Sequence, residues 1–62
     1  MWTVVYLAPN KREAERIKKL LAEDGALLVK LRPVGAEGNC QAYEVLVPEA
    51  EVEEALELLG LR

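Results

Sequence analysis

The sequence predicts an α+β protein with the element order β-α-β-β-α. Three short, largely apolar segments and two apolar stripes of helical spacing follow one another along the chain, and Pro or Gly stands near most boundaries. The chain has 62 residues, of which 52% are hydrophobic and 31% charged. This length and composition are typical of one small globular domain and exclude a two-domain enzyme or a large catalytic barrel.

The first strand and the first helix are predicted from local composition and capping. Residues 2–8 are apolar, β-branched and aromatic, which indicates a strand. Asn10 stands three residues before Glu13 in a capping-box pattern, so we expect a helix over 11–24. Gly25 is expected to end this helix. The apolar stripe of the helix consists of Ala14, Ile17, Leu20 and Leu21.

Two more strands are predicted in the middle of the chain. Residues 26–32 change to a period of two and form the second strand, and residues 42–47 form the third. The stretch 33–41 contains two Gly and one Pro and is expected to be a loop longer than a tight hairpin requires. The side chains expected to face the core from these strands are Leu27, Val29, Leu31, Tyr43, Val45 and Val47.

The last predicted element is a second amphipathic helix over 49–59, which follows Pro48 and ends at Gly60. A right-handed crossover joins the first two strands, and the third strand fits between them, antiparallel to both. The expected sheet order is 1-3-2, with both helices on one face. This is a ferredoxin-like unit that lacks its last strand, and it leaves an unpaired edge on strand one.

Several motifs at the turns and helix caps resemble those of a known family. They are Tyr6-x-Ala8-Pro9-Asn10, Glu13-Ala14-x-x-Ile17 with Leu20-Leu21, Gly25, and Glu44-Val45-x-Val47-Pro48-Glu49. Over nearly its whole length the chain resembles the prokaryotic signal-transducing protein family, a small bacterial domain of unknown function. The resemblance implies a relationship to the nitrogen-regulatory signalling fold, with a long loop after strand two, and it implies no catalytic residues.

The sheet face turned away from the helices is the main candidate for a functional surface. Its expected members are Trp2, Val4, Tyr6, Leu28, Lys30, Arg32 and Leu46. Exposed aromatic and aliphatic side chains of this kind mark interaction surfaces, and we expect Lys30 to pair with Glu44 across the strands. A small domain without a disulfide or zinc cluster is commonly stabilised by oligomerisation. We therefore predict a homodimer through the strand-one edge, this face or both, with another protein as the alternative partner.

The stretch 33–41 is a second candidate site. Gly35, Glu37, Gly38 and Asn39 form a candidate recognition loop, which would make the protein a sensor of a small ligand or an anion. The stretch lacks the Lys-Ser/Thr pair of a phosphate-binding loop and leads into a strand. A plain connector is therefore the other interpretation of this stretch.

Charge and residue types argue against several functions. The chain has 8 Lys+Arg against 11 Asp+Glu, a net charge of −3, so it is not expected to bind nucleic acid. The acidic excess lies in residues 49–62, which include the second helix. One interpretation is that this acidic helix docks on the basic first helix across a dimer, and the other is that both charged helix faces are solvated. Because the chain has no His, Cys40 has no histidine base to activate it.

We expect a non-enzymatic protein with no cofactor and no metal. The carboxylates of the second helix diverge along one face, whereas a magnesium or calcium site needs converging ligands. An accessory piece of an enzyme system is an alternative. The residues would not support a glutamate decarboxylase label, because pyridoxal chemistry needs a Schiff-base lysine within a cofactor cage that 62 residues cannot supply. The chain shows neither a membrane-spanning run nor a signal peptide, and its one Cys is unpaired. These features favour the cytoplasm and no membrane partner.

Overall fold

The elements follow the predicted order along the chain. The structure is a computed structural model that describes residues 1–37 and 40–61. Its elements are β1 (Trp2–Ala8), α1 (Lys11–Lys19) continued by a π-helical segment (Leu20–Asp24), β2 (Lys30–Glu37), β3 (Cys40–Pro48), and a 3-10 turn (Glu49–Glu51) that leads into α2 (Val52–Leu58). The α+β class predicted from the sequence is confirmed.

The three strands form one antiparallel sheet in the order β1-β3-β2. Val45 and Val47 of the central strand are fully buried on one face of this sheet. Ile17 and Leu21 of the first helical region and Ala55 of α2 join them in a single core. Both helices therefore pack on the same face of the sheet, and the opposite face carries the candidate surface.

The first helix begins where the capping pattern predicts. The Asn10 side-chain oxygen accepts a hydrogen bond from the Glu13 backbone N–H at 2.8 Å, which satisfies one free donor of the first turn. The Glu13 carboxylate pairs with Arg16 Nε at 3.0 Å. The predicted span 11–24 is helical throughout, but its last five residues form a π-helical segment.

The exit from this helix differs from the expected glycine cap. Gly25 has φ −102°, which is not left-handed, and the left-handed residue is Ala26 with φ 54°. The Leu27 N–H donates to the Leu21 carbonyl at 3.1 Å and closes the end of the helix. Gly25 therefore marks the boundary as predicted, but not through the left-handed conformation that glycine caps usually supply.

The second strand is shorter at its start than predicted. β2 begins only at Lys30, while the Leu28 N–H donates to the Glu51 carboxylate at 3.1 Å instead of joining a ladder. The alternation of side chains is nevertheless as expected, because Leu27 is buried and Val29 and Leu31 pack against the core. The Glu51 carboxylate, in the 3-10 turn before α2, thus binds the segment that leads into β2.

The predicted loop 33–41 is wrong for most of its length. Its residues extend β2 to Glu37 and start β3 at Cys40, so the two strands form a hairpin. A register shift falls between Val34 and Ala36, at Gly35, whose φ is 58°. Sequence patterning missed this extension because Pro and Gly usually interrupt strands, whereas an edge strand accommodates them at its rim and at a bulge.

The second helix ends through a glycine-based cap. Gly60 has φ 74°, a conformation that only glycine adopts without a steric cost. Its N–H donates to the Glu57 carbonyl at 3.1 Å, and the Leu61 N–H donates to the Leu56 carbonyl at 2.9 Å. These two bonds define a Schellman motif, so Gly60 ends the helix as predicted. Within residues 1–37 and 40–61, no helix has the length and apolarity to cross a bilayer.

Candidate interaction surface

A β-bulge at Val5 decides which β1 side chains reach the face opposite the helices, which we call the open face. Val4 lies opposite Leu46 and Tyr6 lies opposite Val45, so Val5 is an extra residue between them. Before the bulge, Trp2 and Val4 lie on the open face as predicted. After the bulge the alternation is reversed, because the extra residue moves the following side chains to the other face.

Because of the bulge, the predicted residue Tyr6 does not belong to the open face, and Leu7, which was not predicted, does. Tyr6 does not lie on the open face, because it shares the face of its partner Val45 and packs against the core. Leu7 lies opposite Glu44, on the open face, and is 61% exposed. Trp2 and Val4 are 43% and 42% exposed. We call Trp2, Val4 and Leu7 the β1 apolar patch.

Leu46 occupies the centre of the open face but is not exposed. It is only 4% accessible, although both helices lie on the other side of the sheet. Val4 of β1 and Lys30 of β2 flank it directly in register. The Lys30 ammonium lies 5.7 Å from the centroid of the Trp2 ring, so side chains from both edge strands meet over the central strand. The prediction of an accessible Leu46 is therefore wrong.

The predicted pair of Lys30 and Glu44 is also replaced. The register sets Arg32 directly opposite Glu44, and Arg32 Nε donates to the Glu44 carboxylate at 2.7 Å. A second contact joins the Arg32 Nη2 group to the same oxygen. Lys30 instead lies opposite Leu46 and over Trp2. Arg32 and Lys30 thus stay on the open face, as predicted, with different partners from those expected.

Leu28 is exposed as predicted, whereas the described members of the candidate recognition loop lie in a strand. Leu28 is 63% exposed and lies at the entry to β2. Gly35 and Glu37 belong to β2, whereas Gly38 and Asn39 lie outside the described residues. The Gln41 side chain donates to the Gly35 carbonyl, which ties the two strands together across the bulge. At these described positions the chain is paired within the sheet.

Among the described residues, the open face does not present the pair of aromatic rings that single-stranded RNA uses for stacking. Base-stacking surfaces need several exposed ring faces on one side of a sheet. Tyr6 lies on the helix side of the sheet, and the Lys30 ammonium lies over the Trp2 ring.

The helical side of the protein carries charged groups that are spread along the helix surface. The hydrogen bond that Glu13 accepts from the Arg16 guanidinium lowers the pKa of Glu13 from its usual value and raises the pKa of Arg16. A shallow groove follows successive turns of the first helical region, and its walls come from that one region. In the part of the chain that the structure describes, no three His, Cys, Asp or Glu side chains converge as metal ligands would.

Sequence reasoning missed Leu7 because a bulge leaves no mark in a strand of consecutive apolar residues. In residues 2–8, either set of alternate side chains is suited to the buried face of a strand. Only the pairing with β3 shows at which residue the alternation between the two faces is reversed. The open face is thus an apolar sheet face that is flanked by Lys30 and Arg32. Comparison of the chain with family models, with curated proteins and with solved structures finds no match.

Proposed function

We propose that the protein is a non-enzymatic interaction module of the cytoplasm that associates with itself and serves a regulatory, signal-transducing role. One observation carries this proposal. Trp2, Val4 and Leu7, which form the β1 apolar patch, lie on the same sheet face and are between 42% and 61% exposed. Burial of contiguous apolar surface is the main favourable term in protein association. Exposed patches with polar borders are typical of contact sites, and Lys30 and Arg32 supply such a border here.

The small size of the core gives a second reason for association. The largest side chains that are fully buried are Leu21, Val45 and Val47, and alanine occupies other core positions such as Ala14 and Ala55. A domain of about 60 residues buries only about 60% of its unfolded surface, so its stability is marginal without an added constraint. A second copy that packs against this domain would supply additional apolar burial.

We also infer that the fold is a ferredoxin-like unit. The order β1-β3-β2, with both helices on one side, is the arrangement of a ferredoxin-like unit without its last strand. In such a unit the missing strand would lie beside β1, where the apolar patch begins. The motif resemblance to the prokaryotic signal-transducing protein family supports the same reading, and it favours a regulatory partner over a substrate.

Sedimentation over a range of protein concentrations tests the proposal. We expect a mass that rises from monomer to dimer, and we expect Val4→Lys to weaken the association about tenfold or more, because it places a charge within an apolar contact. Ala22→Lys makes the same change in net charge on the exposed helix surface and serves as the matched control. A monomer at every concentration, or equal effects of the two lysines, would contradict the proposal.

A further inference from the structure

We infer that two copies associate through β1 itself, edge to edge and antiparallel, with Thr3 on the two-fold axis. This inference rests on the proposed self-association and names the contact that produces it. Within the described residues, β1 pairs with β3 alone, so its other edge presents unpaired backbone groups. An unpaired edge is a template for another strand, and a second copy of the same strand is its simplest partner.

The hydrogen bonds at the start of β1 show which groups point outward. The Glu49 N–H donates to the Met1 carbonyl at 2.8 Å, and this bond flanks the opposed pair Trp2 and Pro48. In an antiparallel ladder, a pair flanked in this way exchanges no bonds of its own. The N–H and C=O of Trp2 therefore point to the free edge, and those of Val4, two residues later, do the same.

These outward groups are complementary to a second copy of the same segment. When Thr3 lies opposite Thr3 of the second copy, Trp2 lies opposite Val4 of the second copy, and the two residues exchange both of their hydrogen bonds. The symmetry repeats this pair, which gives four hydrogen bonds in all. On the open face each Trp2 ring then packs against a Val4 side chain, an aromatic and β-branched pair that stabilises sheets.

The bulge at Val5 selects this register. Trp2, Thr3 and Val4 form a regular run in the ladder with β3, and the run ends where the bulge begins. A bulge disrupts the ladder and bends the strand, so continued pairing across it is unfavourable. Pairing is thereby confined to the start of β1, and Thr3 is the centre of that segment.

The opposite edge of the sheet is poorly suited to the same contact. β2 carries Lys30 and Arg32, which would face like charges in a second copy, and Pro33 has no N–H to donate. A register shift at Gly35 further disrupts this strand. By contrast, β1 has no charged side chain, so charge and hydrogen bonding both select β1 as the edge that pairs.

A cross-linking experiment tests the register in the full chain. In a Cys40→Ser background, Thr3→Cys places two thiols on opposed residues whose Cα atoms are about 4.5 Å apart, within the range of a disulfide. Leu7→Cys is the matched control, because it lies on the same strand, is more exposed, and would be about 25 Å from its copy. We expect the Thr3→Cys variant to form a covalent dimer on mild oxidation and the Leu7→Cys variant to stay largely uncross-linked.

A proline substitution tests the hydrogen bonds. Val4→Pro removes an N–H that points away from β3, so it breaks no bond within the protomer, and Val4→Ala shortens the side chain without removing the donor. We expect Val4→Pro to weaken dimerisation at least tenfold beyond Val4→Ala. A dimer in which Thr3→Cys cross-links no better than Leu7→Cys would overturn the edge contact while the proposed self-association stands. A wild-type protein that stays monomeric would overturn both.

Discussion

The Lys30 ammonium lies 5.7 Å from the centroid of the Trp2 ring, and these two residues belong to opposite edge strands of the sheet. Between the two strands runs β3, whose Leu46 is 4% accessible on the same face. A cation over an indole ring is stabilising by about 0.5–1 kcal/mol at an exposed site. The pair and the aliphatic part of the lysine therefore shield an apolar side chain that no helix covers.

Removal of the Lys30 side chain tests this shielding. We expect Lys30→Ala to lower the free energy of unfolding by about 1 kcal/mol, because it removes the cation–π contact and uncovers Leu46. Acrylamide should quench Trp2 fluorescence more strongly in the variant. Lys18→Ala, on the exposed surface of α1, is the control and should change neither the urea midpoint nor the quenching. Equal behaviour of the two variants would show that the contact does not protect Trp2.

Leu46 and Leu28 should respond very differently to truncation, although both were predicted for the same surface. Leu46→Ala removes a buried side chain and should cost about 2–4 kcal/mol of unfolding free energy. Leu28→Ala removes a side chain that is 63% exposed and should cost less than about 0.5 kcal/mol. Urea unfolding of dilute protein measures both values. Similar losses would mean that Leu46 is accessible after all.

Gly25 should not tolerate a side chain. A Cβ at this position would lie 2.4 Å from Leu58 Cδ1 and 3.0 Å from the Leu21 carbonyl oxygen. The leucine methyl can move, but the backbone oxygen is held by the end of the helix, so we expect Gly25→Ala to cost about 1–3 kcal/mol. Thermal unfolding followed by circular dichroism measures the loss. Unchanged stability would show that α2 moves aside at little cost.

At Ala26, the residue after Gly25, the reverse substitution from alanine to glycine should stabilise the protein. Ala26 has φ 54°, where a side chain costs roughly 1–2 kcal/mol. Ala26→Gly removes this cost but makes the unfolded chain more flexible, so we expect a net gain of about 0.5–1 kcal/mol. The same thermal unfolding experiment checks it, with Ala22→Gly in the π-helical segment as the control that should lose stability. A loss for Ala26→Gly would contradict the left-handed conformation.

The pair of Glu13 and Arg16 should make a small part of the stability depend on pH. The hydrogen bond from Arg16 lowers the pKa of Glu13 in the folded state from its usual value. The stabilisation is therefore complete above the unfolded pKa and is lost as pH falls through the folded pKa. Titration by NMR should show the pKa of the Glu13 carboxyl moving upward in Arg16→Gln. An unmoved pKa would rule out Arg16 as its cause.

Local sequence determined the helices and the central strand. The Asn10 cap, the stripe with Ile17 and Leu21, and the glycine stop at Gly60 all act within a few residues along the chain. Their physical causes are backbone donors that need acceptors and apolar side chains repeated at the helical period, and both are visible in the order of residues. The alternation of Val45 and Val47 is local in the same way.

Only the tertiary structure decided the composition of the open face. The bulge at Val5, which moved Tyr6 to the core and Leu7 to the surface, exists only as a mismatch between β1 and β3. The pairing of Arg32 with Glu44 and the burial of Leu46 likewise depend on strands that are distant in sequence. Strand register is a relationship between segments, and a shift of one residue reverses every following side chain, so no single segment can specify which of its residues face the solvent.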